Sequence, residues 1–387
     1  ASGDWLAPHL NDIQYLEKPP LQYWATAALY SVLGVKPWVS RLYNTGLGFL
    51  LTLLVWRAGS RLYGAPAGRL SALVLASGIL FYVIAHVNTL DVGLTFWLNA
   101  GILALLYWNG SEKSRVSLWI AWACLGLAVL QKGLVGVVMP GFALALYVLL
   151  QRDWSLVRRL QVIPGLLLVI AINLPWWWLM QRRNPGFVDW FFVHEHYTRF
   201  TTSEHGRSEP WWYFSALLFI GVMPWLMPTI RGAIQAWRNE ANARVDGAIA
   251  SDAGADAAGA LASGRLLLVW AAAVFIFYSP SGSKLAPYIL PMMPPLALLA
   301  GRYLASIEGP RMGLSGSFIA AIVVAALLLA LPTIASTLTP PPGQAVGYAQ
   351  IARWGFGGGV LLAMATIQAW VRSRFGVESL QTRRERA

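Results

Sequence analysis

A glutamate and a lysine followed by two prolines, Glu17-Lys18-Pro19-Pro20, are the first residues in the chain whose types and spacing suggest chemistry. Pro19 biases Lys18 towards extended backbone, and the diproline stiffens the entry into the next apolar stretch, so the ammonium is held rather than free. Snorkelling would explain a lysine near a membrane edge, but not the adjacent glutamate or the rigid diproline. Further on, Asp91 follows the polar break His86-Val87-Asn88-Thr89 and opens an apolar segment, where an aspartate serves equally as a helix cap and as a functional carboxylate. Ser281-Gly282-Ser283-Lys284 leads into Pro287-Tyr288, and Pro291, Pro294 and Pro295 interrupt the helix that follows. Such a pattern is tolerated at membrane depth where backbone lines protein or a cavity, so Tyr288 is expected to face one.

The stretch 181–210 holds His194-Glu195-His196 and Arg199. If helical, it sets Glu195 and Arg199 four apart on one face, able to grip an anion or a metal. His194 and His196 with Glu17, or with Glu195, Glu204 and His205, could bind Zn²⁺. Their spacing, without cysteine, matches no closed structural zinc pattern, so no cofactor is assigned and a divalent metal such as Zn²⁺ stays an option. Lys18, Arg199, Lys284 and Tyr288 together supply three cations and a hydroxyl beside apolar surface, the composition of a lipid-phosphate site.

The elements that must position these groups are membrane helices. Of 387 residues 57% are hydrophobic and 12% charged, against about 25% charged in soluble domains. Apolar runs near the length needed to span hydrocarbon recur almost end to end. The expected fold class is an all-α polytopic membrane protein with about 11 spans. They lie near 39–56, 66–85, 92–108, 116–131, 134–150, 160–180, 211–229, 265–279, 288–304, 314–334 and 353–371. This divides the chain into an outer segment 1–38 and a helical domain 39–371, which carries an outer loop 181–210 and a cytoplasmic linker 231–264. A cytoplasmic tail, 372–387, follows. Net charge is +12, but the 29 Lys and Arg are dispersed between apolar segments, which speaks against a nucleic-acid partner. Alternating sides put 19 of them on one face, which the positive-inside rule makes cytoplasmic. All five histidines then lie on the outer face with the candidate site. Trp176-Trp177-Trp178 and Trp211-Trp212 read as headgroup anchors, and the lone Cys124 as a small buried hydrophobe.

The run Ser2-Gly3-Asp4-Trp5, Pro8-His9-Leu10-Asn11 and Tyr15 to Leu21 resembles the aminoarabinose transferase branch of the C-type glycosyltransferases, relatives of the protein O-mannosyltransferases. The likeness continues through Asn88 to Asp91, His194 to Phe200, Glu204 to Trp211 and Ser283 to Tyr288. It implies the C-type fold with its active site in extracytoplasmic loops, in a bacterial inner membrane with that site on the periplasmic side. It also implies transfer of a sugar from an undecaprenyl-phosphate carrier to an acceptor such as lipid A. On that resemblance Lys18, Arg199 and Tyr288 contact the carrier phosphate, and Glu17 and Asp91 are the available catalytic carboxylates. The family's principal acidic motif follows a first membrane helix, and both are expected to precede residue 1. A flippase or secondary transporter of a lipid-linked sugar, or an inactive scaffold, are the competing classes. Ionisable groups clustered at one mouth rather than at mid-span weigh against a proton-coupled carrier.

Overall fold

The computed structural model describes residues 3–10, 13–108, 114–191, 209–245, 261–307 and 315–337, with scattered residues between 349 and 367. It is almost entirely helical, with one small antiparallel pair, β1 (His9–Leu10) and β2 (Ile13–Gln14). Helix α1 (Leu21–Leu33) starts directly after the diproline, whose fixed φ suits the first turn of a helix. The stretch 1–38, expected as an outer segment, therefore contains this strand pair and a 13-residue helix among its described residues.

Long apolar helices follow: α2 (Val39–Tyr63), α3 (Ala65–Ser77), α4 (Ile79–Ala85), α5 (Leu90–Trp108), α6 (Arg115–Lys132) and α7 (Val135–Gln151). Then come α8 (Ser155–Arg159), α9 (Val162–Arg183), α10 (Phe187–Asp189), α11 (Tyr213–Gly221), α12 (Leu226–Val245) and α13 (Ser263–Tyr278). A 3-10 segment, Ala286–Met292, runs into α14 (Met293–Ala305), and α15 (Ser315–Thr337) is the last helix with described bounds. By length and composition, α5 and α9 could each cross a bilayer alone. The bent pairs α3 with α4 (65°) and α11 with α12 (104°) raise the number to four among the described residues. The membrane character expected from composition stands on these helices, whereas eleven crossings are not established by this criterion.

The core gathers around α5. Two thirds of its apolar window is buried, against 22% for α9, so α5 is the central post and α9 is peripheral. Small residues let the helices approach closely, the usual means of packing where lipid removes the hydrophobic drive between helices. One close crossing sets Gly301 of α14 against Ser71 of α3. A Cβ on Gly301 would lie 2.5 Å from the Ser71 backbone nitrogen and 2.7 Å from its Cα.

A second, smaller core holds the N-terminal segment on the bundle. Ala7, Leu130, Trp176, Met180, Phe187 and Phe191 pack together, and the Trp176 indole N–H donates to the Leu6 carbonyl at 3.0 Å. Trp176, expected as a headgroup anchor, is instead 3% exposed and serves as the floor on which residues 4–7 sit. Trp178, Trp211 and Trp212 are exposed, as anchors should be, with Arg182 stacked 3.9 Å over the Trp178 ring.

The Gly301 crossing makes a direct prediction. Gly301→Val should lower thermal stability in detergent by about 3 kcal/mol, because behind the Ser71 hydroxyl stand the Ser71 backbone nitrogen and Cα, which cannot rotate away. Gly141→Ala in α7 meets open space and should leave stability unchanged or slightly raised. Equal melting losses for the two would contradict this packing.

Candidate functional site

Asp91 lies in the first turn of α5, where a carboxylate is favoured by the helix dipole. Its backbone N–H is capped by the Thr89 hydroxyl at 3.3 Å, so the capping role weighed for Asp91 belongs to Thr89 and the carboxylate is left for other work. That carboxylate pairs directly with Lys132, the last residue of α6. Asp91 is only 7% exposed. A buried pair needs both partners, since removing one strands a charge in a poorly solvated site. The Lys132 ammonium also sits 4.5 Å from the centroid of the Tyr288 ring, a cation–π contact, and Tyr288 packs against Tyr278 with centroids 5.1 Å apart. Three remote stretches of sequence thus meet in one cluster of carboxylate, ammonium and phenol.

Tyr288 is positioned by the proline-rich break. The Pro291 carbonyl accepts from the Asn99 amide of α5 and the Trp270 indole of α13, both at 3.1 Å, and this fixes the 3-10 segment between the two helices. Such side-chain donors replace the helical bonds that the prolines cannot make.

A polar chain runs from this cluster to the N-terminal segment. The Tyr43 hydroxyl donates to Gln131 Oε1 at 3.0 Å, Gln131 Nε2 to Gln22 Oε1 at 2.9 Å, and Gln22 Nε2 to Asn88 Oδ1 at 2.8 Å. Asn44 clamps the turn before α5 by donating to the Val87 and Thr89 carbonyls at 3.0 and 2.8 Å. Gly93 makes room for the Gln131 amide, which a Cβ there would meet at 2.3 Å. Glutamines and asparagines buried in this way are worth their desolvation only when bonded, and here they stitch α1, α2, α5 and α6 at one end of the bundle.

Gln22, in the first turn of α1, ends this chain four residues after Lys18 in sequence. The Glu17 carboxylate accepts from the Tyr15 hydroxyl at 3.1 Å, and the Lys18 ammonium donates to the Glu17 carbonyl at 3.0 Å. The segment is tied down at its start by Asp4, which accepts from the N–H groups of Leu6 and Ala7 and pairs with Arg183 at the end of α9. Partial burial works to raise the pKa of Asp4, but the Arg183 guanidinium and the two N–H donors outweigh it and hold the carboxyl below its ordinary value.

Lys284, expected among the phosphate ligands, is buried and donates to the carbonyls of Ser281 at 2.9 Å and Glu209 at 3.1 Å. These bonds make it a staple between the 281–284 turn and residue 209, with one of its three donors remaining. Arg199, His194 and His196 lie outside the described residues. No group of three histidine, cysteine or acidic side chains that could hold a metal occurs among the described residues, and Glu17 is the one described member of the expected zinc set.

Lys132 and Gln131 escaped the sequence reading because they end an apolar run and look like its margin. The available signal was a glutamine-lysine pair closing an apolar run, with no matching acid beside it in sequence.

A family model described as dolichyl-phosphate-mannose-protein mannosyltransferase matches residues 17–179. An undecaprenyl phosphate-alpha-4-amino-4-deoxy-L-arabinose arabinosyl transferase of Sodalis glossinidius is 32% identical over 312 residues, 78% of this chain and 52% of the relative. The Pseudomonas aeruginosa (strain UCBPP-PA14) protein of that name is 31% identical over 319 residues, 80% of this chain and 53% of its own length. The chain spans about half the length of the curated relatives it matches. The crystal structure of ArnT from Cupriavidus metallidurans bound to undecaprenyl phosphate superposes with a TM-score of 0.81 at 32% identity, covering 97% of this chain and 66% of that one. Sequence and backbone agree over the same stretch: the chain is similar over most of its length to the undecaprenyl phosphate aminoarabinose arabinosyl transferases, and its backbone has the fold of the solved ArnT structure.

Proposed function

We propose that the protein transfers a sugar from an undecaprenyl-phosphate carrier to a glycolipid acceptor such as lipid A, at the periplasmic face of a bacterial inner membrane. The observation that carries this reading is the backbone likeness, across nearly the whole chain, to a relative with undecaprenyl phosphate bound. It is strengthened by Tyr288, Lys132 and Asp91 meeting at one end of the bundle, where Gln131 also bonds Gln22 of α1. Eleven spans with an outward N-terminus are part of the proposal, supported by the 19 Lys and Arg that this arrangement assigns to the cytoplasmic side.

In this mechanism Lys18, Arg199 and Tyr288 hold the carrier phosphate. An acceptor hydroxyl oxygen attacks the anomeric carbon opposite the phosphate, and the carbon–oxygen bond to the phosphate breaks with its electron pair. Configuration inverts, and the cations offset the charge that develops on the departing phosphate. The proton of the acceptor hydroxyl passes to a carboxylate, for which Glu17 and Asp91 are the candidates. With Lys132 engaging Asp91, its orientation is fixed before substrate arrives. Lys284 acts behind this site, keeping the 281–288 turn in place through its carbonyl bonds.

The proposal is tested in membranes of a host without its own transferase, by following aminoarabinose from undecaprenyl phosphate onto lipid A by mass spectrometry. Transfer by the natural chain and at least a roughly hundredfold loss in Lys18→Ala and Asp91→Asn are expected. Carrier that is bound or moved across the membrane but never cleaved would favour a transporter or a scaffold instead.

Lys132 yields a separate expectation. Lys132→Ala leaves Asp91 buried without its counter-ion and should cost about 3–5 kcal/mol in thermal unfolding. The double change Asp91→Asn with Lys132→Gln should cost clearly less than the single one. Additive losses in that double-mutant cycle would mean the two side chains are not coupled.

A further inference from the structure

At the other end of the bundle, α2, α5 and α6 separate around a cavity of about 620 Å³. Its floor is apolar, made by Leu54, Ala58 and Leu62 of α2 facing Leu103 and Ala104 of α5. Its mouth carries two guanidiniums, Arg57 and Arg61, four residues apart and so on one face of α2. The Arg61 guanidinium carbon lies over the Tyr107 ring, 4.0 Å from its centroid, a cation–π contact that leaves its hydrogen-bond donors unspent. Neither arginine has a carboxylate or hydrogen-bond partner among the described residues. The cavity lies where α5 ends and α6 begins. Asp91 and Lys132 mark the opposite ends of those helices, about 28 Å away for a 19-residue helix. It is therefore a different place from the candidate active site.

We infer that this cavity seats an anionic glycerophospholipid, with the phosphate held by Arg57 and Arg61 and the first methylenes of its acyl chains lying on Leu54, Ala58 and Leu103. Three observations fix the class of ligand. Two guanidiniums at the edge of an apolar bundle, with no counter-ion among the described residues, favour an anion, and paired arginines suit a phosphate oxygen pair. The apolar floor has nothing to offer a fully soluble anion but does match hydrocarbon. The volume falls in the range of ligand sites and accommodates a headgroup, glycerol and the start of two chains. Exposed Tyr107 and Ile120, at 47% and 49%, leave the cavity open sideways, the direction from which a lipid enters. Basic pockets between membrane helices hold anionic headgroups in this way. Only the leaflet from which the lipid comes depends on the proposed orientation, which makes it the cytoplasmic one.

The test is native mass spectrometry of the full chain released from detergent with phosphatidylglycerol or phosphatidylcholine added. The natural chain should retain phosphatidylglycerol roughly tenfold better, and Arg57→Ala with Arg61→Ala should abolish that preference. Arg69→Ala, an exposed arginine on the neighbouring helix that does not line the cavity, should leave it intact. Ala104→Phe fills the floor and should release the lipid with both arginines present, so the inference survives a double variant that fails to fold. Equal retention of the two lipids by the natural chain, unchanged preference in both cavity variants, or displacement by soluble glycerol phosphate as readily as by lipid would each overturn it.

Discussion

A carboxylate and an ammonium held out of water at one end of a helical bundle constrain everything near them. Asp91 and Lys132 are each affordable in that setting because the other is present, and their pairing fixes the start of α5 against the end of α6. Once that corner is set, the Tyr288 ring has one face to lie on and the turn before α5 one path to follow. The polar chain through Gln131, Gln22 and Asn88 then ties the first turn of α1 to the same corner.

The division of labour among the cations follows from where each one ends. Lys132 neutralises a carboxylate, Lys284 satisfies backbone carbonyls, and Arg183 anchors Asp4. These are structural uses of charge that hold the outer segment and the proline-broken turn in place. Lys18, just before the stiff diproline that leads into α1, donates to the Glu17 carbonyl and is the cation to which the proposed function gives the carrier phosphate. Two ends of the same helices thus do different things: one gathers opposite charges and phenols, while the other exposes a pair of arginines over an apolar hollow.

Much of this was legible in the residues themselves. Hydropathy located α2, α5, α6, α7 and α9 to within a few residues, except that α2 runs on to Tyr63, because an apolar run in hydrocarbon has few options besides a helix. The prolines near 287–295 announced the broken helix that became a 3-10 segment, and the Glu-Lys-Pro-Pro string announced a rigid entry to α1. The motifs around Asp4, Glu17 and Asp91 were enough to mark the glycosyltransferase resemblance, which the backbone likeness now supports.

What the tertiary structure alone decided is which side chains meet. Lys132 is 41 residues from Asp91 and more than 150 from Tyr288, so no local pattern could pair them. The choice was made by the antiparallel packing of α5 on α6 and by the carbonyl bonds that lock the 3-10 segment. The same holds for Trp176, whose type suits a membrane anchor but whose position over Leu6 makes it core, and for Lys284, whose charge suits a phosphate but whose burial turns it towards carbonyls. Sequence determines which groups exist and which segments are helical, because those depend on local backbone bonding and on solvent. The partners of a polar group depend on the helices crossing at close range, and that is settled only when the bundle packs.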